Sequence, residues 1–221
     1  MRRLGLAVLG IGALIVSFSG GGEIGFSVDS VNGIEHVSAG TSIRAIAATF
    51  IILIAYLVAL DPEPQEKAGP PASTSRRAVG WFLDFLLSLA AISALVALLP
   101  LASEALATGH FQWQFERDSI NTMDWVLSLV GIALVFGGMA VYWGLPPARG
   151  GQTIGQAVLG LRVVSTTAQP ITLRTSLLRG LLQPFAPLLW LAHFFSSRRV
   201  YFHDDLAHVQ VITTRPSRRA A

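Results

Sequence analysis

The sequence predicts an all-α membrane protein: four transmembrane helices, a fifth helix that is broken or re-entrant, and a small cytoplasmic β element. Three observations predict it. Hydrophobic residues make up 52% of the 221 and charged residues only 13%, where a soluble domain carries roughly a quarter. The apolar residues gather into runs approaching the roughly 20 that a helix needs to cross about 30 Å of hydrocarbon. The basic residues lie between these runs, on one side of the membrane.

Composition also excludes partners. A net charge of +3 invites a nucleic-acid reading, but no basic face is built, so no nucleic-acid partner is expected. The absence of cysteine removes thiolate metal sites, disulfides and a thiol nucleophile.

Taken in order, the first run spans Leu4 to Gly22 behind Arg2 and Arg3. It also fits a signal peptide, with a basic start, a short apolar stretch and a small-residue end. The second, Ala45 to Leu60, is short and dense. The third runs from Val79 to Ser103 and is interrupted by Asp84, and the fourth, Trp125 to Pro147, is uncharged. The fifth, Gly180 to Ser197, is weaker, because it holds Gln183, Pro184, Pro187 and His193. Two prolines allow a re-entrant piece if other protein covers the backbone groups they free.

Orientation follows from counting. With the N-terminus inside, segments 1–3, 61–77, 149–179 and 198–221 hold 14 of the 16 Lys and Arg. The outer loops hold Arg44 and Arg117 beside seven acids. Trp81 and Trp143 then fall at inner span ends, and Trp113 and Trp125 at the outer side. Both flanks of the fifth segment are basic, which favours a tail that stays inside.

The chain divides into an N-terminal two-span hairpin (1–60), a Pro-rich linker without helix or packing (61–77), a membrane module (78–213) and a basic tail (214–221). The Gly, Asn and Ser punctuation of the outer loop 20–42 reads as turns and a short hairpin. Leu161 to Val164 and Val209 to Thr213 are β-branched and strand-like, able to pair as a small sheet, and Ile171-Thr172-Leu173 follows the first across a polar turn.

Asp84 is the most informative residue, since an ionised carboxylate inside a span costs several kcal/mol, about 2.5–3.5 on the lenient scales. Arg77 precedes it by seven residues, two turns along the same face. Gly80, Ser88 and Ala91 continue that small, polar stripe, and Ser128, Gly131 and Gly138 offer a matching face on the fourth run. An Arg77–Asp84 pair fixing helix register, with Asp204 neutralising Arg77, Arg162 or Arg179, is one reading. The other is an ion or proton path through Asp84, Ser88, His203 and Asp204. Arg149, Arg162, Arg179, Arg198 and Arg199 form a basic surface toward lipid phosphates.

The stretch Ser75 to Leu89 resembles the opening of the RDD family of bacterial membrane proteins, which has an arginine seven residues before an aspartate. Arg77 and Asp84 match these two. A Gly-Gln-Thr-x-Gly block is met at Gly151, Gln152, Thr153 and Gly155, leading into Leu161 to Val164. Leu177, Leu178 and Arg179 follow. Arg198, Arg199, His203 and Asp204 meet the C-terminal His-Asp motif. The resemblance covers about residues 75–213. It departs after Asp204, where the family runs toward Ala-Gly-Thr-Val-Val and this chain reads Asp205 to Val211. The resemblance implies a bacterial inner-membrane protein with cytoplasmic termini, and some members are linked to sodium/proton exchange.

No nucleophile triad, phosphate-binding glycine loop or zinc spacing is present, so no enzyme activity, metal or cofactor is expected. A structural or accessory subunit of a membrane assembly is the leading reading and ion transport the alternative. The expected partners are membrane lipids, copies of the chain, or subunits of a larger membrane complex.

Overall fold

The computed structural model describes residues 2–19, 24–31, 34–61, 69–167, 169–188 and 202–214. It is mostly helical. In order come α1 (Arg2–Phe18), β1 (Gly25–Val31), β2 (Ile34–Gly40), α2 (Ile43–Leu60), α3 (Thr74–Val96), α4 (Leu98–Thr108), β3 (Gln114–Arg117) and α5 (Thr122–Ala148). Then follow α6 (Ile154–Leu159), β4 (Leu161–Ser165), α7 (Leu173–Leu182), a 3-10 turn (Gln183–Phe185), α8 (Phe202–Leu206) and β5 (Val209–Thr213).

Among the described residues, three helices can cross a membrane by length and composition: Ile43–Leu60, Thr74–Thr108 (α3 and α4 together) and Thr122–Ala148. The expected count was four. The first expected span is helical, but α1 has only 17 residues, about 25 Å at 1.5 Å per residue.

The burial pattern is that of a protein solvated by hydrocarbon. Helix α2 buries Ala45, Ala48, Ile52, Ala55 and Ala59, and leaves Phe50, Ile54 and Leu57 exposed. A soluble helix would turn its large apolar side chains inward. Here lipid already surrounds them without cost, so small residues take the packed face and let backbones approach.

The chain forms two compact units. In the unit of residues 11–53 and 87–138, β1, β2 and β3 make an antiparallel sheet in that order. The β1–β2 pairing, with Val28 opposite Val37, is the hairpin expected in loop 20–42. Strand β3 was not anticipated, because four residues carry too little alternation to register. Arg117 at its end is paired with Glu104 (3.2 Å) and with Asp124. Helices α3 and α5 do pack through the glycines of α5. However, Gly131 faces Val96 and Gly138 faces Ile92, not the Ser88–Ala91 stripe. The polar stripe of α3 is turned elsewhere.

The other unit comprises residues 1–10, 54–86 and 139–221. Its β4–β5 ladder pairs Val163 with Val211, as the sequence pattern suggested. Leu161, Val163, Ala207, Val209 and Val211 form a small core around it. The linker expected over 61–77 ends sooner. Pro71 bridges Ile212, the Ala72 N–H donates to Val211 O (3.0 Å), and α3 has begun by Thr74. Residues 62–68 lie outside the described residues. Ile171-Thr172-Leu173 is not a strand: Thr172 caps α7, accepting from the Thr175 N–H.

Candidate functional site

Helix α3 carries Asp84 to the N-terminus of α6, where the carboxylate is 1% exposed. Three donors hold it. One oxygen accepts the Gly155 N–H (2.7 Å) and the Tyr142 hydroxyl (2.7 Å), and the other accepts the Thr153 hydroxyl (2.6 Å). These donors come from α5, from the N-cap of α6 and from its first turn. The helix N-terminus adds its own positive end.

The local sequence explains the cage. Thr153 caps α6 and Gln156 reaches back to the Thr153 N–H (3.2 Å), a full capping box. Gly155 has no substitute, since a Cβ there would sit 2.4 Å from Gly80 O and 2.8 Å from Asp84 Cγ. The two glycines bring α3 and α6 into backbone contact. Gly151 lies against the last carbonyl of α2, where a Cβ would be 2.6 Å from Leu60 O. Gln152 ties the segment to β4 by donating to Leu161 O (2.7 Å). Gly151, Gln152, Thr153 and Gly155 thus each make a specific contact, and the block opens a capped helix.

The second aspartate, Asp204 of α8, is also buried and bridges two arginines. Arg179 donates through Nε to one carboxylate oxygen (2.8 Å), and Arg77 is bonded to the other. Gln183, with its amide oxygen turned to Arg179, accepts from both terminal nitrogens (2.9 and 3.2 Å). Pro187 has no N–H to donate to the Gln183 carbonyl one turn earlier. Trp81 covers that carbonyl, donating from Nε1 at 2.8 Å. Over Gln183–Phe185 the helical path tightens to a 3-10 turn whose first carbonyl is satisfied in this way, and residues 189–197 of the expected fifth segment lie outside the described residues.

Several expectations change. Arg77 and Asp84 do not pair. Side chains on a helix lean toward its N-terminus, so Arg77 swings away from a carboxylate some 10.5 Å up the axis and meets Asp204 instead. Of the three arginines offered to Asp204, Arg77 and Arg179 take it. Arg162 donates to Gly150 O (2.8 Å). Arg179 does not face lipid: it is 2% exposed, because α7 turns it onto Asp204. Arg149 is exposed and Arg162 is half-buried. Ser88 is buried one turn beyond Asp84. Arg198, Arg199, His193 and the His203 side chain lie outside the described residues.

Three participants escaped the sequence reading: Tyr142, Gln183 as a partner of Arg179, and Trp81 as a donor. Tyr142 was legible in principle as a hydroxyl within an otherwise apolar span. It stacks on Tyr56 (4.9 Å between centroids), whose hydroxyl bonds the Val141 and Tyr142 carbonyls at 3.1 Å. A cavity of about 40 Å³ lies between the two aspartate centres, lined by Arg77, Gly80, Asp84, Gln156, Arg179 and Gln183 among others. It is far smaller than the roughly 300–1,000 Å³ of ligand pockets. Among the described residues, no three His, Asp or Glu gather as a metal site.

Apolar helices with small residues packed inward, and two buried aspartates each held by a network of polar partners, define a multi-pass helical membrane protein. The RDD family pattern matches residues 71–208, well over half of the chain, and the protein belongs to the RDD family. A comparison with curated proteins finds no match, and neither does one with solved structures.

Proposed function

We propose that this RDD protein is a structural or accessory subunit of a bacterial inner-membrane assembly, and that Asp84 acts as a packing staple. The observation that carries the reading is the state of the Asp84 carboxylate. Three short hydrogen bonds from three points on the fold occupy both of its oxygens. A cation or a travelling proton would have to compete with donors that hold α3, α5 and α6 together. The proposed role is non-enzymatic.

In this reading α1, α2, α3 and α5 make four crossings, with the basic side and both termini in the cytoplasm. The N-terminal pair lies outside the family match, which suits an added docking surface. It is fastened to the module: the Gln152 N–H donates to Ala59 O (3.2 Å), and the Tyr56 hydroxyl donates to Val141 O (3.1 Å). The partners are lipids together with further copies or other subunits.

Mild solubilisation of native membranes, followed by size analysis and mass spectrometry, tests this. A stoichiometric partner or a defined oligomer is expected. Purified protein in sealed vesicles should pass no sodium or proton current. An ion flux abolished by Asp84→Asn at unchanged protein level would favour transport instead.

A further inference from the structure

We infer that α7 and the turn after it are inserted in the bilayer beside α5, with one face against lipid acyl chains, so that the Arg179–Asp204 bridge lies at hydrocarbon depth. This rests on the reading that α5 crosses the membrane.

The first observation is an inverted amphipathic pattern. Along 174–188, the positions 178, 181, 185 and 188 recur at helical spacing, and Leu178, Leu181, Phe185 and Leu188 are 42–65% exposed. The opposite face holds Ser176, Arg179, Gly180, Gln183 and Ala186, all buried. A segment on a water-facing surface would expose the arginine and glutamine and bury the leucines. Lipid rewards the arrangement found here, in which polar groups bond inside the protein and large apolar side chains meet the chains outside.

The second observation sets the depth independently. The Ser176 hydroxyl donates to Gly144 O (2.5 Å). A Cβ on Gly144 would lie 2.7 Å from Leu177 Cα, and one on Gly180 would lie 2.3 Å from Ala140 O. As α7 advances from 176 to 180, its contact on α5 moves back from 144 to 140. The two helices run antiparallel at backbone contact. Helix α5 ends at Ala148, so Gly180 stands beside a residue eight positions, or about 12 Å, inside that end. Arg174 precedes this level and is exposed, as a residue at the headgroups should be.

The exposed face is continuous with a surface already assigned to lipid, since Val141 of α5 is 48% exposed beside the Ala140–Gly144 contact. Acyl chains are therefore its occupant. The depth also accounts for the pairing of Arg179. A guanidinium carried below the headgroups by its helix needs an opposite charge brought to it, and α8 supplies Asp204.

The chain contains no cysteine, so single spin labels can be placed in the full protein in lipid nanodiscs. Labels replacing Leu181, Phe185 and Leu188, with Val141→Cys on α5 and Arg174→Cys as references, would be read by collision with oxygen and with a water-soluble nickel complex. The expected result is oxygen-dominated relaxation at 141, 181, 185 and 188 and nickel-dominated relaxation at 174. Nickel access at 181 and 185 with a lipid signature at 141 would overturn the inference and leave the crossing of α5 intact. Low access to both reagents at 181 and 185 would overturn it in favour of a protein partner. Nickel access at 141 would remove the crossing itself. Each label is on an exposed side chain, and a monodisperse elution profile confirms folding before measurement.

Discussion

Replacing Asp84 by alanine separates a staple from an idle charge, and the structure sets the magnitude. The substitution removes the acceptor of three donors: the Gly155 N–H, the Thr153 hydroxyl and the Tyr142 hydroxyl. A buried donor left without a partner costs about 1–3 kcal/mol. The two hydroxyls can rotate toward other acceptors, whereas the Gly155 N–H is fixed at the start of α6. The gain from no longer burying a carboxylate offsets part of the loss. Three donors would total about 3–9 kcal/mol, and the two offsets bring the expected destabilisation by Asp84→Ala to about 2–5 kcal/mol. Asp84→Asn behaves differently. Its amide oxygen can replace the carboxylate oxygen that serves Gly155 and Tyr142. Its NH2 can donate to Thr153 Oγ1. Geometry is kept and only charge assistance is lost, about 1–2 kcal/mol in all. The assay is reversible unfolding in bicelles, read by tryptophan emission. Alanine within 1 kcal/mol of the wild type, or asparagine as damaging as alanine, would refute the staple.

Further predictions follow from the same contacts. Asp204→Ala removes the carboxylate shared by Arg77 and Arg179 and should cost about 3–5 kcal/mol in the same unfolding assay, with a loss under 1 kcal/mol counting against a buried bridge. Gly155→Ala forces a Cβ onto the Gly80 carbonyl and Asp84 Cγ, so it should lower stability by about 1–3 kcal/mol or more. Gly131→Ala meets only the tip of Val96 at 3.1 Å and should stay within about 1 kcal/mol, so equal melting shifts for the two variants would contradict the packing described. Tyr142→Phe removes one of the two donors to the shared Asp84 oxygen and should cost about 1 kcal/mol. A loss matching that of Asp84→Ala would show that the tyrosine, not the helix start, is the main anchor.

Helices α2, α3 and α5 were legible in the sequence because hydropathy is a local property that needs no partner. The β4–β5 pairing was also legible from β-branched runs. The site was legible by residue and not by pairing. Asp84 stood out as a charge among apolar neighbours and Asp204 through the family resemblance, yet Arg77 and Asp84 were joined to each other because they share a helix face. In the fold Asp204 takes Arg77, while Tyr142, Thr153 and Gly155 take Asp84, and only the packing of other elements against α3 decides those partners. Arg179 was assigned to lipid for a similar reason: in a one-dimensional reading an arginine beside an apolar run is an anchor. Strand β3 is simply too short to announce itself.

Composition and charge placement determine by themselves that Asp84 sits in an apolar helix, because inserting a span depends on summed transfer energies along the chain. Which groups satisfy Asp84 is decided only in three dimensions. Its donors lie 58, 69 and 71 residues away, and no local pattern links residues so far apart. They meet because Gly80 and Gly155 let two backbones touch, a contact that depends on the packing of α3 against α6.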